Sequence, residues 1–188
     1  VACLGPRACY DESKRLGETL CYIYTQKYHL PVKIIRPFNN YGPGLRLTDR
    51  RVLPDICTDV LADREIVLYS DGKATRTFCY SSDALTGYLL VLLSTHEGEA
   101  FNIGSQAPEV SIHELATLVS QVAGSTRSVV SRHSDDKDYL TDNPQRRCPD
   151  LSKSKSLLGY QPRVDLPTGL ERLIGWYKTF LPLEEVGK

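Results

Sequence analysis

Short apolar runs rich in β-formers alternate with helical patterns along the whole chain, and that alternation limits the fold more than any other feature of the sequence. Val32–Ile35, Ile66–Tyr69, Thr77–Tyr80, Ala100–Ile103 and Ser128–Ser131 each read as a short strand. Asp11–Tyr28 places Leu16, Leu20, Ile23 and Tyr24 at three- and four-residue steps, which predicts a helix. Val52–Ala62 reads as a second helix, and Asp83–Ser94, apolar nearly all round, as a buried third. Ser111 with Glu114 three residues on forms a capping box, opening a helix to about Val122. Asp150 is suited to cap a helix over Ser152–Leu158, and Leu166–Phe180 is amphipathic. Arg36–Thr48 and His133–Asp150 read as loops, and Ser70–Lys73 as a turn. Strands alternating with helices in this way predict an α/β protein.

Bulk properties narrow the function. Lys and Arg total 23 and Asp and Glu total 23, a zero balance that argues against a generic nucleic-acid binder. The longest apolar stretch, Tyr88–Leu93, falls far short of the roughly 18 residues that cross a bilayer. No signal peptide opens the chain, which starts at Val1 and contains no methionine; it reads as a fragment or a processed product. The six cysteines are irregularly spaced without a CxxC, which predicts free thiols in a reducing cytoplasm. Four scattered histidines give no metal-ligand pattern, so no metal is expected. A dinucleotide site needs a strand, a glycine-rich turn and a helix, because backbone amides must approach the pyrophosphate closely. Gly42-Pro43-Gly44 is too short for that turn, and its proline has no donor.

Tyr10 and Lys14 stand at i and i+4 near the start of the first helix, on one face. A phenol is a poor base at neutral pH, and a neighbouring ammonium favours its ionised form. Such a pair can take a proton from a sugar hydroxyl while hydride leaves the same carbon. The bare spacing also fits a surface pair on a solvated helix. Five stretches supply context: Gly5–Arg15 followed by Gly17-Glu18-Thr19; Arg36-Pro37-Phe38-Asn39-Asn40-Tyr41-Gly42-Pro43; Tyr69–Phe78 with Asp83 beyond; Phe101-Asn102-Ile103-Gly104; and Asn143–Asp150 with Leu157-Leu158-Gly159-Tyr160. In order and spacing they resemble the extended short-chain dehydrogenase/reductase (NAD-dependent epimerase/dehydratase) family over nearly the whole chain. Within it they are most similar to the UDP-glucuronate decarboxylase (UDP-xylose synthase) branch.

The resemblance implies the C-terminal part of an extended Rossmann-type fold, with the small substrate-binding domain present and the glycine-rich nucleotide-binding half absent. Residues 1–50 would be the remnant of the NAD-binding domain with the catalytic helix. Residues 51–188 would mainly bind substrate, with Thr77–Ile103 returning to the Rossmann sheet. Tyr10 matches the family's catalytic base, which also touches the nicotinamide ribose, and Lys14 the lysine that binds the ribose hydroxyls of NAD and tunes the tyrosine. Pro37 and Phe38 match the stretch passing the nicotinamide. Asn39, Arg51, Tyr69, Arg76 and Arg147 match substrate-binding positions, with Arg76 on the diphosphate of a UDP-sugar and Arg147 on the nucleotide side. An amide donates without adding charge, and a guanidinium fork can hold two phosphate oxygens at once. The implied activity uses NAD, forms a 4-keto sugar and decarboxylates UDP-glucuronate to UDP-xylose, in a cytoplasmic homodimer. A 4,6-dehydratase, a 4-epimerase and a non-catalytic nucleotide-sugar-binding module are the alternatives. Ser13, where decarboxylases carry glycine and many dehydratases serine, and Ser81-Ser82 depart from the decarboxylase pattern. By itself the chain is expected neither to bind NAD tightly nor to turn over.

Overall fold

A computed structural model of the chain describes residues 4–5, 8–49, 51–132 and 144–180. The first helix, α1 (Ala8–Tyr28), leads into β1 (Ile34–Pro37), β2 (Asn40–Tyr41), α2 (Val52–Leu61), β3 (Ile66–Leu68), β4 (Thr75–Arg76) and β5 (Cys79–Tyr80). Then come α3 (Ser81–Leu93), β6 (Ala100–Ile103), β7 (Val110–Ser111), α4 (Ile112–Ala123), β8 (Val129–Ser131), β9 (Arg146–Arg147), α5 (Ser152–Leu158) and α6 (Leu166–Phe180). The predicted α/β class holds. β1 pairs with β6, β2 with β5, β3 with β8 and β4 with β9, all in parallel, while β4 and β7 pair antiparallel.

Two apolar clusters organise these elements. The larger joins α2, α4 and α6 through Ile56, Cys57, Leu115, Val119, Leu170, Leu173 and their neighbours. The smaller joins α3 and β6 to the α5 region through Val91, Phe101, Ile103, Leu151 and Tyr160. The capping box forms as read: Ser111 Oγ accepts from the Glu114 N–H at 3.1 Å and Glu114 Oε2 from the Ser111 N–H at 2.7 Å. Asp150 does not occupy the N-cap of α5, which is Leu151 with no side-chain cap bond; one residue before it, Asp150 Oδ1 instead accepts from the N–H and the hydroxyl of Ser152, the first helical residue. The turn at 70–73 is closed by Ser70 Oγ, which accepts from the Gly72 N–H.

Long-range pairing moves the other boundaries. The strand expected at Val32–Ile35 lies at Ile34–Pro37, in register with Ala100–Ile103; Val32 instead accepts from the Gly98 N–H in the connector. The expected loop at 36–48 yields β2, and the strand expected at 77–80 shortens to β5 at Cys79–Tyr80, which pairs with β2, while β4 forms before it at Thr75–Arg76 between β7 and β9. The loop expected over 133–150 yields β9; residues 133–143 lie outside the described residues. α3 is not buried all round: Leu85, Leu89, Leu92 and Leu93 are exposed along one side. No helix among the described residues is long and apolar enough to cross a membrane.

Candidate active site

α1 carries the tyrosine–lysine pair at its amino-terminal end. Lys14 Nζ stands over the Tyr10 ring, 5.3 Å from its centroid, a cation–π arrangement, and Tyr10 is 62% exposed. Two contacts fix the direction of this helix. Thr25 packs against Gly98, where a Cβ would stand 3.0 Å from Thr25 Cγ2, so the missing side chain lets the helix approach the strands near their amino-terminal side. Seven residues earlier in the helix, Glu18 accepts from Arg36 Nε at 2.6 Å and from Arg36 Nη2, and Arg36 lies within β1. The helix therefore runs antiparallel to β1. At 1.5 Å per residue, Lys14 and Tyr10 reach about 6 and about 12 Å beyond Glu18, past Pro37 at the carboxyl end of the strand. Open parallel sheets bind ligands at that edge.

Pro37, Phe38 and Asn39 occupy the same edge. Phe38 donates its N–H to the Ile103 carbonyl at 3.0 Å, continuing the β1–β6 ladder by one residue. Asn39 adopts a left-handed backbone (φ 42°), which asparagine tolerates better than most residues. Its side-chain amide donates to the Thr77 carbonyl at 2.8 Å, and its own carbonyl accepts from the Cys79 N–H at 3.1 Å. Asn39 thereby fastens the end of β1 to the segment between β4 and β5.

A small open cleft next to it is lined by Asn39, Asn40, Leu45, Arg51, Val52 and Phe78, among others. It brings together two of the predicted substrate residues, Asn39 and Arg51. Arg51 forks onto Asp49, with Nε 2.7 Å from Oδ2 and Nη2 on the same oxygen. Asn40 and Phe78, both within the motifs but with no expected role, also line the cleft. Asn40 donates to the Tyr88 hydroxyl, and its buried Oδ1 has no partner among the described residues. The signal that could have singled Asn40 out was its place beside Asn39 in one motif.

The remaining predicted residues lie apart from that cleft's lining. Arg76 is 7% exposed and donates to the backbone carbonyls of Thr75 and Pro144, each at 2.7 Å, and of Gln145 at 3.3 Å. Arg147 is its register partner on β9 and is exposed. Tyr69 follows β3 and is 48% exposed. Burial pushes the Cys79 thiol up to about 11 and the Cys57 thiol up to about 12, so both stay protonated at neutral pH and serve as packing groups.

Parallel strands flanked by helices, with a tyrosine–lysine pair at the carboxyl edge, define a Rossmann-like α/β protein. The chain belongs to the NAD dependent epimerase/dehydratase family, whose sequence model matches residues 2–104. UDP-glucuronic acid decarboxylase 1 of Xenopus tropicalis is 37% identical over 178 residues, covering 93% of this chain and 40% of that protein. UDP-glucuronic acid 4-epimerase of Bacillus cereus, solved with UDP-glucuronic acid and NAD, superposes with a TM-score of 0.80 at 29% identity over 90% of this chain and 52% of that one. A dTDP-glucose 4,6-dehydratase of Streptomyces venezuelae, solved with NAD and TYD, gives a TM-score of 0.81 at 29% identity over 94% of this chain and 53% of that one. The chain thus spans 40% of the curated relative's length and about half of each structure's.

Proposed function

We propose that this chain is the substrate-side part of an NAD-dependent nucleotide-sugar decarboxylase that converts UDP-glucuronate to UDP-xylose through a 4-keto sugar. The observation that carries the proposal is the Tyr10–Lys14 pair, with the Lys14 ammonium over the Tyr10 ring on a helix that Glu18 ties to Arg36 of β1. The 37% identity to the frog decarboxylase over 93% of this chain supports the choice of reaction. In this reading residues 1–50 belong to the NAD-binding domain and 51–188 mainly to the substrate domain. The β1–β6 and β2–β5 pairings support a return of 77–103 to the first of these.

The residues at this edge fit NAD. An exposed ammonium and an exposed phenol can hold ribose hydroxyls, and the exposed Pro37 and half-buried Phe38 add apolar surface for a nicotinamide. When bound, NAD supplies hydride acceptance and return at C4 of the sugar. Tyr10 takes the proton from the C4 hydroxyl, and Lys14 orients the phenol and favours its ionised form. The resulting 4-keto acid is a β-keto acid, which loses carbon dioxide. Asn39 and Arg51 meet the substrate near its phosphates, with Tyr69 beside the base and Arg147 on the nucleotide side. Arg76 meets the diphosphate by exchanging the carbonyls of Pro144 and Gln145 for phosphate oxygens. Five free thiols among the described residues support a reducing, cytoplasmic setting, and the exposed Leu16, Leu20, Ile23 and Tyr24 support a homodimer face on α1.

A 4-epimerase or 4,6-dehydratase is the second reading, favoured by Ser13 and by TM-scores of 0.80 and 0.81 to those two enzyme types. The test is incubation of the protein containing this chain, together with a glycine-rich pyrophosphate-binding segment, with UDP-glucuronate and NAD. Release of carbon dioxide and UDP-xylose is expected. UDP-galacturonate as the sole product would establish the epimerase instead. Tyr10→Phe is expected to lower kcat at least 100-fold with the helix content unchanged, because it deletes the proton acceptor and little else.

A further inference from the structure

Of the 21 residues of α1, only Ala8 is buried, so core packing contributes little to holding this helix within the described chain. Among the described residues, the ion pair that leaves α1 for the sheet is Glu18–Arg36. It is two-pronged: Nε meets Oε1 at 2.6 Å and Nη2 meets Oε2. Two parallel bonds between planar groups fix direction as well as distance, which a single charge contact does not. Glu18 follows Lys14 by four residues and Tyr10 by eight, so all three lie along one side of the helix. On the strand side, Arg36 immediately precedes Pro37, Phe38 and Asn39.

We propose that Glu18 and Arg36 are positioning residues: their fork sets the height and tilt of α1 against β1, and with them the place of Tyr10 and Lys14 over the Pro37–Asn39 edge. This rests on the catalytic reading above. The lever is long. Tyr10 stands about 12 Å along the helix from the fork, so a tilt of about 5° moves it by about 1 Å. A displacement of that size costs on the order of 100-fold in rate where reacting groups must be aligned. Neither residue touches the reacting atoms in this account; both act through the helix.

Two substitutions test it. Glu18→Gln keeps the shape and removes the charge, and Arg36→Lys keeps the charge and removes the fork. In the 188-residue chain, amide exchange over residues 8–28 is expected to quicken about tenfold in both variants, with α6 unchanged. In the NAD-loaded protein containing this chain, kcat is expected to fall at least tenfold, with KM for the nucleotide sugar within twofold of the starting protein. Unchanged exchange in α1, exchange that quickens equally in α6, or an unaffected kcat would each overturn the proposal. Should the unsubstituted protein fail to act on UDP-glucuronate, the functional reading falls, and the comparison of α1 with α6 still decides the joint.

Discussion

Gly87 shows how much a single missing side chain decides. A Cβ there would stand 2.5 Å from Ile103 Cγ2 and 2.9 Å from Tyr160 Cε2, both in fully buried residues that have no room to retreat. Alanine would add about 1 kcal/mol of helix propensity, but forcing a methyl group into a closed core costs about 1–3 kcal/mol, and packing wins. Gly87→Ala is therefore expected to lower the urea midpoint at unchanged slope; a raised midpoint would show that α3 can move away from β6. Asp83, one helical turn earlier, has a structural task of the same kind. Its Oδ2 accepts from the N–H groups of Arg163 and Val164 at 2.9 and 2.8 Å, fastening the connector before α6 to α3. In the sequence Asp83 is legible as the start of the third helix and a residue beyond a motif, but not as a clamp on Arg163 and Val164, because those partners lie about 80 positions away.

At the scale of elements, local rules and distant contacts divide the work. The box at Ser111 and Glu114 was legible because both partners lie within one turn, and α4 begins where it predicts. Ser111→Ala is expected to destabilise the chain by about 1 kcal/mol, read from thermal unfolding. α1 behaves differently, since its link to β1 depends on ionisation. The Arg36 guanidinium, bonded to Glu18, holds that carboxyl below the usual glutamate range. A carboxyl whose folded value is depressed contributes stability above its unfolded value, and that contribution is lost as pH falls through the folded value. The ellipticity of α1 is therefore expected to drop at acid pH, below about 4, in the unsubstituted chain. In Glu18→Gln that step should be missing; a step of equal size there would assign it to other carboxylates. β2, β4 and β9, two residues each, leave no periodic trace in the sequence, because pairing with remote segments alone makes them strands.

Across the whole molecule, the described residues expose two apolar helix faces, Leu16, Leu20, Ile23 and Tyr24 on α1 and Leu85, Leu89 and Leu92 on α3. Leu89 is 56% exposed, so Leu89→Lys is expected to change the unfolding free energy of this chain by less than about 0.5 kcal/mol. A loss of several kcal/mol would mean that the face is covered in solution. The sequence by itself determined the α/β class, the long helices, the capping box and the tyrosine–lysine spacing. Those depend on periodicity and on neighbours within one or two turns, which a linear reading contains. Only the tertiary structure decided that one side of α3 lies open, that Arg76 points its guanidinium at the carbonyls of its own sheet, and that Asn39 and Arg51 share a cleft. It also decided that Glu18 reaches Arg36. Each of those outcomes depends on which distant segment arrives at a given face, and hydrophobic periodicity says that a face will be buried without saying against what.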